Sequence, residues 1–404
     1  MIKFLCLLMI IAFANASHAQ VKNDLSEYVA FQEKVREVSQ NKDIEAKKSA
    51  VDKFWNNLKS QNKIPFVVSN YCAFLYRGEA ESISFQGDFS GWGRLNDESF
   101  SATRIPDTDF WILEKIFPED ARLDYKIVIN KKEWILDPNN PNTQVSGFGV
   151  NSELRMPKWK ESEWVIKNNN IKTGTTEQNI HIHSKSLGYD LLYHIYLPHD
   201  YEKLKNLPVI YVTDGHEYMA DDKGSMVIVL DNLITKNKIK PVITVFIDPR
   251  DPDSLHVNRR ESNFLMNENF LNFVCEELVP YIDSHYKTNK SASMRAILGT
   301  SYGGVCATYF SLLRPDIFKL AAIQSPAYRN MTELLQKIIE TKDTSVKYFI
   351  STGTINDGET ITRMVHEHLL QKKYNILYKE SNEGHSWGNW KALLDDMLIY
   401  FFKK

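Results

Sequence analysis

A serine flanked by glycines, in Gly299-Thr-Ser-Tyr-Gly303, is the first group in this chain that could do chemistry. An apolar run precedes it, and the apolar, helix-like segment Val305–Leu313 follows. A strand, a G-x-S-x-G turn and a helix in this order form a nucleophile elbow, in which bulky neighbours would collide. The backbone N–H of the next residue, Tyr302, then points at a developing oxyanion. The pattern predicts Ser301 as the nucleophile of an acyl transfer.

The residues after Ser301 supply a carboxylate and a histidine in the order that an α/β-hydrolase uses, which is nucleophile, acid and then base. Asp357 lies in the loop after a late predicted strand, and Glu359 in the same loop is the alternative acid. His385 follows the last predicted strand, next to Gly384. In such a triad the imidazole takes the serine proton and returns it to the leaving group, while the carboxylate fixes the imidazole tautomer.

The loop Asp214–Tyr218 follows a continuous apolar strand and is the expected source of a second oxyanion donor. Gly215 permits the turn that aims a backbone N–H into the site. The donor would be the N–H of His216 or of Glu217, and it would act together with the N–H of Tyr302. His216 precedes the nucleophile in the chain, so it is a poorer candidate for the base than a histidine that follows it.

Strands alternate with helical segments from residue 178 to residue 404, which is typical of an α/β domain. The predicted strands cover residues 187–198, 207–213, 241–247, 320–324, 346–352 and 374–380. The predicted helices cover residues 226–236, 269–285, 361–371 and 390–402. About 225 residues in this rhythm suffice for one α/β-hydrolase domain.

The chain before residue 178 changes character three times. Residues 20–63 are polar with apolar side chains at helical spacing, which predicts a helical lead-in. Residues 64–157 contain short apolar or alternating runs separated by turns rich in Pro, Gly and Asn, which predicts a small β-sandwich. Residues 158–177 are charged and then rich in Gly, Thr and Asn, which predicts a linker.

The N-terminus and the composition bear on the compartment and on the class of partner. Lys3, the apolar run 4–13 and the small residues Ser17 and Ala19 predict a signal peptide over residues 1–19, and hence a secreted or periplasmic protein. The 404-residue chain has a net charge of −2, which gives no reason to expect nucleic acid as a partner. No apolar run is long enough to predict a membrane span.

Three cysteines remain after the predicted cleavage site, and their scattered positions predict neither a disulfide framework nor a metal site. They are Cys72, Cys275 and Cys306. Buried free thiols are the favoured interpretation.

Several motifs of the C-terminal domain resemble those of the esterase family that includes enterochelin esterases, feruloyl and acetylxylan esterases and esterase D. They are Leu197–Tyr201, Tyr211–Gly215, Glu277–Ile282, Gly299–Gly304 and Glu383–Trp387. Upstream, four further motifs resemble the N-terminal immunoglobulin-like module of secreted esterases, which is similar to glycogen-binding early-set sandwiches: Gly87–Trp92, Leu123–Lys126, Trp134–Pro141 and Gly149–Glu153. The resemblance implies an α/β-hydrolase domain preceded by a small all-β immunoglobulin-like sandwich, and serine ester hydrolysis without a metal or a cofactor.

The resemblance also implies where a substrate would bind. In relatives an arginine followed closely by a glutamate lines the site, and Arg259, Arg260 and Glu261 match that region. Either arginine could hold an anionic or catecholate group, and a surface salt-bridge cluster is the alternative. Trp387 and Trp390 lie next to the predicted base and could stack an aromatic acyl group or a sugar, or could pack in the core.

The substrate class implied by the resemblance is an ester linked to carbohydrate, such as a feruloyl or acetyl ester, or a siderophore ester of the enterobactin type. The near-neutral net charge favours the carbohydrate-linked ester, because a catecholate iron siderophore is anionic. One alternative is an inactive hydrolase-fold binding protein whose sandwich binds sugar through Trp92, Trp111 or Trp134. Another is an acyltransferase on the same fold. The oligomeric state is left open.

Overall fold

The computed structural model describes residues 23–95 and 98–404, so the predicted signal peptide lies outside the described residues. The chain forms two compact units. The first runs to Thr143 and includes Val150–Lys160, and the second contains Gln144–Gly149 and Glu161–Lys404.

Two helices lead the described part of the first unit. Helix α1 covers residues 23–40, and helix α2 spans Ile44–Ser60, where the Asp43 side chain accepts from two N–H groups of the first turn. Apolar side chains at helical spacing, including Phe31 on α1 and Phe54 on α2, are buried in one cluster with strand residues such as Phe66. The helical periodicity therefore serves to cover one face of a sheet.

Within residues 66–95 and 98–155, nine short strands follow, and they form two sheets. They are β1 (Phe66–Val68), β2 (Tyr71–Arg77), β3 (Ile83–Gly87), β4 (Thr103–Arg104), β5 (Phe110–Ile116), β6 (Arg122–Ile129), β7 (Glu133–Ile135), β8 (Thr143–Ser146) and β9 (Gly149–Arg155). The orders are β1-β2-β5-β4 and β3-β6-β9-β8, with β7 paired to β6. Phe74 of one sheet packs on Phe85 and Tyr125 of the other, with ring centroids 5.0 Å apart in both pairs.

The second unit is built on an eight-stranded sheet of order β10-β11-β13-β12-β14-β15-β16-β17. Its strands are β10 (Thr175–Ser184), β11 (Tyr189–Leu197), β12 (Val209–Val212), β13 (Ile243–Asp248), β14 (Arg295–Thr300), β15 (Leu320–Gln324), β16 (Lys347–Gly353) and β17 (Asn375–Ser381). Strands β12 to β17 pair in parallel, whereas β10 and β11 are antiparallel to their neighbours.

Helices connect these strands and cover the sheet. They are α3 (Gly215–Met219), α4 (Met226–Thr235), α5 (Arg260–Phe264), α6 (Glu268–Asn272), α7 (Val279–His285), α8 (Tyr302–Leu313), α9 (Thr332–Glu340), α10 (Glu359–Gln371), α11 (Trp387–Ala392) and α12 (Leu394–Phe402). A π-helical turn, Phe273–Leu278, joins α6 to α7. Two apolar clusters sandwich the sheet, so the central strands β12 and β14 are buried along their whole length. None of the helices described here is long and apolar enough to cross a bilayer.

Some details differ from the predicted elements. Strand β10 begins at Thr175, inside the predicted linker 158–177, and its first five residues are exposed, so only Ile180 and Ile182 near its end pack against the core. Helices α3, α5 and α9 lie outside the predicted elements, and α9 buries Leu334 and Ile338. The predicted closing helix 390–402 is two helices, which meet at Leu393.

The parallel order explains how residues that are distant in the sequence share one site. The carboxyl ends of parallel strands lie at the same edge of a sheet. Asp214 follows β12, Ser301 follows β14, Asp357 follows β16 and His385 follows β17. All four therefore lie at one edge of the second unit.

Candidate active site

Ser301 occupies the turn between β14 and α8 in a backbone conformation that L-residues rarely adopt. Its φ is 58° and its ψ is −117°. A Cβ on Gly299 would lie 2.1 Å from the Gly303 carbonyl oxygen, and a Cβ on Gly303 would lie 2.3 Å from Thr213 Oγ1. No side chain fits at either position, so both glycines of the motif are steric requirements of the turn.

The Asp357 carboxylate is fully buried in the loop after β16. Its Oδ1 lies 2.5 Å from His385 Nδ1. Its Oδ2 accepts from Ser325 Oγ and from the Gly353 N–H, both at 2.5 Å. Since an ionised carboxylate only accepts, Nδ1 is the protonated nitrogen of this pair, and Nε2 is left to receive a proton.

Glu359, the alternative acid, has a different role in this loop. It is the first residue of α10, and its Oε2 accepts from the Asp357 backbone N–H at 3.2 Å. This contact supports the loop that carries Asp357. The geometry favours Asp357 as the partner of His385.

The His385 imidazole packs against a tryptophan and remains partly open to solvent, with 38% of its side chain exposed. The Trp390 ring meets it edge-on, with centroids 4.9 Å apart. Trp390 Nε1 also donates to Ser325 Oγ at 2.8 Å. Trp390 therefore contacts His385 directly and reaches Asp357 through Ser325.

Sequence reasoning did not find Ser325 or its neighbour Gln324. The Gln324 carbonyl accepts from the Ser301 N–H at 3.0 Å. The Gln324 side chain accepts from Tyr218 Oη at 2.8 Å and donates to the Trp390 carbonyl at 2.9 Å. The end of β15 thus connects α3, the elbow and α11, and no sequence motif marks it.

The two predicted oxyanion donors lie at the first turns of α8 and α3. The first N–H groups of a helix have no intrahelical acceptor, which leaves those of Tyr302 and His216 available. Helix α3 approaches β13 closely, because a Cβ on Gly215 would lie 2.4 Å from the Phe246 carbonyl carbon. Both donors therefore belong to segments held by tight packing.

The surroundings of the His216 side chain do not support a catalytic role for its imidazole. Its Nδ1 lies 3.3 Å from Oδ1 of the buried Asp248, at an angle too poor for a hydrogen bond. Burial lowers the pKa of His216 to about 4. The imidazole is therefore neutral at pH 7 and serves as packing beside Asp248.

Of the three predicted substrate contacts around residue 260, both arginines are paired with aspartates and the glutamate is exposed. Arg259 pairs with Asp251 and lies over the Tyr189 ring, 4.4 Å from its centroid. Glu261 is exposed on α5. Arg260 pairs with Asp214 instead of facing solvent.

Trp387 requires a correction as a stacking platform. Its side chain is 2% exposed and packs edge-on against Tyr218 and Trp390. Trp390 is likewise buried. Both rings belong to the core of the second unit, because the loop after His385 turns directly into α11 and directs them inward.

Cys306 lies five residues after Ser301 but offers no competing nucleophile. It is buried in α8, and burial raises the pKa of its thiol well above the ordinary value. The described part of the chain contains no group of three His, Cys, Asp or Glu side chains that could hold a metal ion.

With this geometry in place, comparison with known sequences decides the family. The family described as "Putative esterase" matches residues 184–401. The chain belongs to this family. It is therefore a carboxylic ester hydrolase, and the resemblance of the C-terminal motifs to this esterase family is confirmed.

Two relatives illustrate how the family varies. The chain is 26% identical over 242 residues to the uncharacterized protein YjcH of Bacillus subtilis, covering 56% of this chain and 97% of YjcH. It is 27% identical over 279 residues to an endo-1,4-beta-xylanase/feruloyl esterase of Xylanibacter ruminicola, covering 66% of this chain but 36% of that protein.

Solved structures confirm the α/β-hydrolase fold. The enterobactin esterase of Shigella flexneri, crystallised in the presence of enterobactin, has a TM-score of 0.66 at 21% identity and covers 82% of this chain and 92% of its own. The ferric enterobactin esterase of Salmonella typhimurium has a TM-score of 0.69 at 17% identity, with coverage of 82% and 93%. A CE1 ferulic acid esterase from Anaeromyces mucronatus has a TM-score of 0.51 at 20% identity, with coverage of 59% and 95%.

Proposed function

We propose that Ser301, His385 and Asp357 form the catalytic triad of a serine ester hydrolase that works through an acyl-enzyme intermediate. The observation that carries this proposal is the buried Asp357 carboxylate against His385 Nδ1, at the sheet edge where Ser301 occupies the strained elbow. The order Ser301, Asp357, His385 along the chain is that of an α/β-hydrolase.

The first half of the reaction transfers the acyl group to the enzyme. Ser301 Oγ attacks the ester carbonyl carbon while His385 Nε2 takes the hydroxyl proton. The carbonyl oxygen gains negative charge and accepts from the N–H groups of Tyr302 and His216. The carbon–oxygen bond to the alcohol then breaks, and the leaving alcohol takes the proton from His385.

The second half returns the enzyme to its starting state. Water attacks the acyl carbon of the Ser301 ester and gives a proton to His385 Nε2. The bond to Ser301 Oγ breaks, Oγ recovers the proton, and the carboxylic acid leaves. The Asp357 carboxylate stabilises the imidazolium in both halves through Nδ1–H.

The pairing of three arginines that follow β13 favours a neutral ester over an anionic one. Arg259 faces Asp251, Arg260 faces Asp214, and Arg250 donates to Asp248 from Nε and Nη2. Each guanidinium is thus neutralised by a carboxylate. We therefore propose a carbohydrate-linked ester, with a feruloyl or acetyl group, ahead of an enterobactin-type siderophore ester. Methyl ferulate, acetylated xylan and enterobactin form the panel that ranks them.

The proposal extends to export and to the N-terminal module. Cleavage of a signal peptide before Gln20 would place the enzyme in the periplasm or outside the cell, and mass spectrometry of the secreted chain tests this.

We also assign the two sheets of the first unit to the immunoglobulin-like, early-set type. In them Trp134 is 45% exposed and lies 6.5 Å from the Trp92 ring, whereas Trp111 is buried.

Replacing Ser301 with Ala tests the triad. We expect kcat for p-nitrophenyl acetate to fall by about 10⁶-fold, because the loss of a triad nucleophile removes the covalent route. A fluorophosphonate probe should label the wild-type chain and leave Ser301→Ala unlabelled. The control is Ser284→Ala, since Ser284 Oγ also lies beside a histidine nitrogen, 2.9 Å from His285 Nδ1, but on an exposed helix end.

Labelling, product analysis and turnover together separate the alternatives. A wild-type chain that is not labelled by the probe but binds a polysaccharide would favour the inactive binding protein. Ester products formed with an added acceptor alcohol, in place of the free acid, would favour the acyltransferase. Turnover of Ser301→Ala close to that of the wild type would show that another residue is the nucleophile.

A further inference from the structure

The guanidinium of Arg260 joins the two segments that carry the oxyanion donors. Nε donates to Asp214 Oδ1 at 2.7 Å and to Oδ2 at 2.9 Å. Nη2 donates to the Thr300 carbonyl at 3.3 Å. The guanidinium carbon also lies 5.1 Å from the centroid of the Tyr302 ring. A single planar group therefore contacts both sides of the site.

Each contact of Arg260 adjoins a donor in the sequence. Asp214 is two residues before His216 and is the N-terminal cap residue of α3, with φ 52°. Thr300 and Tyr302 flank Ser301, and Tyr302 carries the other donor. These contacts restrict the two backbone segments on which the donors stand, because Thr300 leads into the elbow and Asp214 begins α3.

Packing alone does not determine the position of Asp214. Its carboxylate is almost fully buried, and an unpaired buried carboxylate would be strongly driven toward water. Burial raises the pKa of Asp214, and the charge of Arg260 opposes that rise. Without the guanidinium, the loop would have to move or the carboxylate would have to take up a proton.

The geometry points to Arg260 as a positioning residue that sets the spacing between the N–H groups of His216 and Tyr302 without contacting the substrate. This inference rests on the proposed function. An oxyanion hole works only when its donors lie about 2.7–3.1 Å from the place the oxyanion will occupy, so small shifts reduce turnover. A lysine has one nitrogen in place of the rigidly spaced Nε and Nη2, so it cannot occupy both positions that face Asp214 and Thr300.

The test compares Arg260→Gln and Arg260→Lys with a matched control. Arg314→Gln is suitable, because Arg314 has 21% of its side chain exposed against 26% for Arg260 and also forms carboxylate pairs, with Asp316 and Glu276, away from the elbow. We expect kcat of Arg260→Gln to fall by about 10²-fold, the scale of one lost oxyanion donor, with KM within about threefold of wild type. Arg260→Lys should recover part of kcat, and Arg314→Gln should equal wild type.

A second readout distinguishes positioning from a loss of folded protein. An alkyl trifluoromethyl ketone forms a hemiketal oxyanion on the serine, so its inhibition constant should rise in Arg260→Gln by the factor that kcat/KM falls. A lower folded fraction would change active-site titration but not this inhibition constant. The double variant Asp214→Asn/Arg260→Gln removes both charges and should remain slow, because the connection between the segments is still missing.

Three outcomes would overturn the inference: Arg260→Gln rates within threefold of wild type, a change confined to KM, or wild-type turnover in the double variant. A change confined to KM would make Arg260 a substrate contact. If the wild-type chain resists the fluorophosphonate probe, the proposed function fails and the inference fails with it. Wild-type labelling with unchanged Arg260→Gln rates overturns the inference alone.

Discussion

Two buried aspartates of the hydrolase domain, Asp357 and Asp214, follow strands at the same sheet edge but have opposite surroundings. Asp357 is held by neutral donors from Ser325 and Gly353, and its remaining oxygen faces His385. Asp214 is neutralised by the permanent cation of Arg260. A carboxylate that faces an imidazole whose charge changes during the reaction needs neutral hydrogen-bond donors, because a fixed cation would compete with the imidazolium. A carboxylate that only holds a loop in place is best paired with a permanent cation.

Replacing each aspartate with Asn is the largest test of this contrast. Asp357→Asn should lower kcat for p-nitrophenyl acetate by about 10⁴-fold, because an amide facing Nδ1 can impose the wrong imidazole tautomer. Asp214→Asn should cost about 10²-fold, through displacement of one oxyanion donor.

A third variant tests the choice of Asp357 over Glu359 as the acid. Glu359→Gln keeps a side-chain acceptor for the Asp357 N–H and should change kcat by less than about tenfold, as an effect on the loop alone. A loss in Glu359→Gln equal to that in Asp357→Asn would transfer the acid role to Glu359. Equal losses in Asp357→Asn and Asp214→Asn would remove the distinction between the two aspartates.

A smaller effect is expected at Ser325. Ser325→Ala removes a donor to Asp357 Oδ2 and leaves Trp390 Nε1 without its acceptor. A buried hydrogen bond to a charged group contributes about 1.5–3 kcal/mol, so the free energy of unfolding should fall by that order and kcat by about tenfold. Urea unfolding and steady-state kinetics measure both. Ser311→Ala, which removes a buried hydroxyl far from the triad, is the control, and an equal kcat loss there would refute a specific role.

The smallest effect on turnover, and the clearest on stability, concerns the histidine on the oxyanion side. Burial lowers the pKa of His216 to about 4 from an ordinary value of 6.5, so the unfolded chain binds this proton more readily than the folded chain between those values. Stability contributed by neutral His216 is therefore present above pH 6.5 and is lost as pH falls toward 4, on the order of 3 kcal/mol.

His216→Asn removes that titrating group. Its thermal midpoint should fall less than that of the wild type when the pH is lowered from 7 to 4.5, while the exposed His181→Asn should follow the wild type. Identical pH dependence in His216→Asn and the wild type would mean that other groups control acid stability.

The sequence predicted those features whose chemistry is local. The elbow was recognisable because glycines, serine and an apolar helix are contiguous, and the order of the catalytic candidates follows the fold. The contacts of Ser325 with Asp357 and of Arg260 with Asp214 join residues 32 and 46 positions apart. Only the order of the parallel strands brings such residues together, and no spacing rule reports it.

Trp387 shows that closeness to the site in the sequence does not predict where a side chain points. Its position next to His385 suggested contact with a substrate, but a tryptophan at the start of a helix can point either way. The direction is set by the cluster around Tyr218, which is 169 positions earlier in the chain. Similarly, β10 is an edge strand whose first five residues are polar and exposed, so no apolar alternation marks its start at Thr175.

The close approach of Gly299 and Gly303 to their surroundings has a consequence for how this chain can diverge. Neither position accepts even a methyl group, and both contacts involve the backbone or Thr213, so drift at the elbow is blocked by geometry. The loop 251–258, by contrast, follows β13 at the same sheet edge and exposes Leu255 and Val257. New specificities should therefore accumulate in that loop, while the reaction itself stays unchanged.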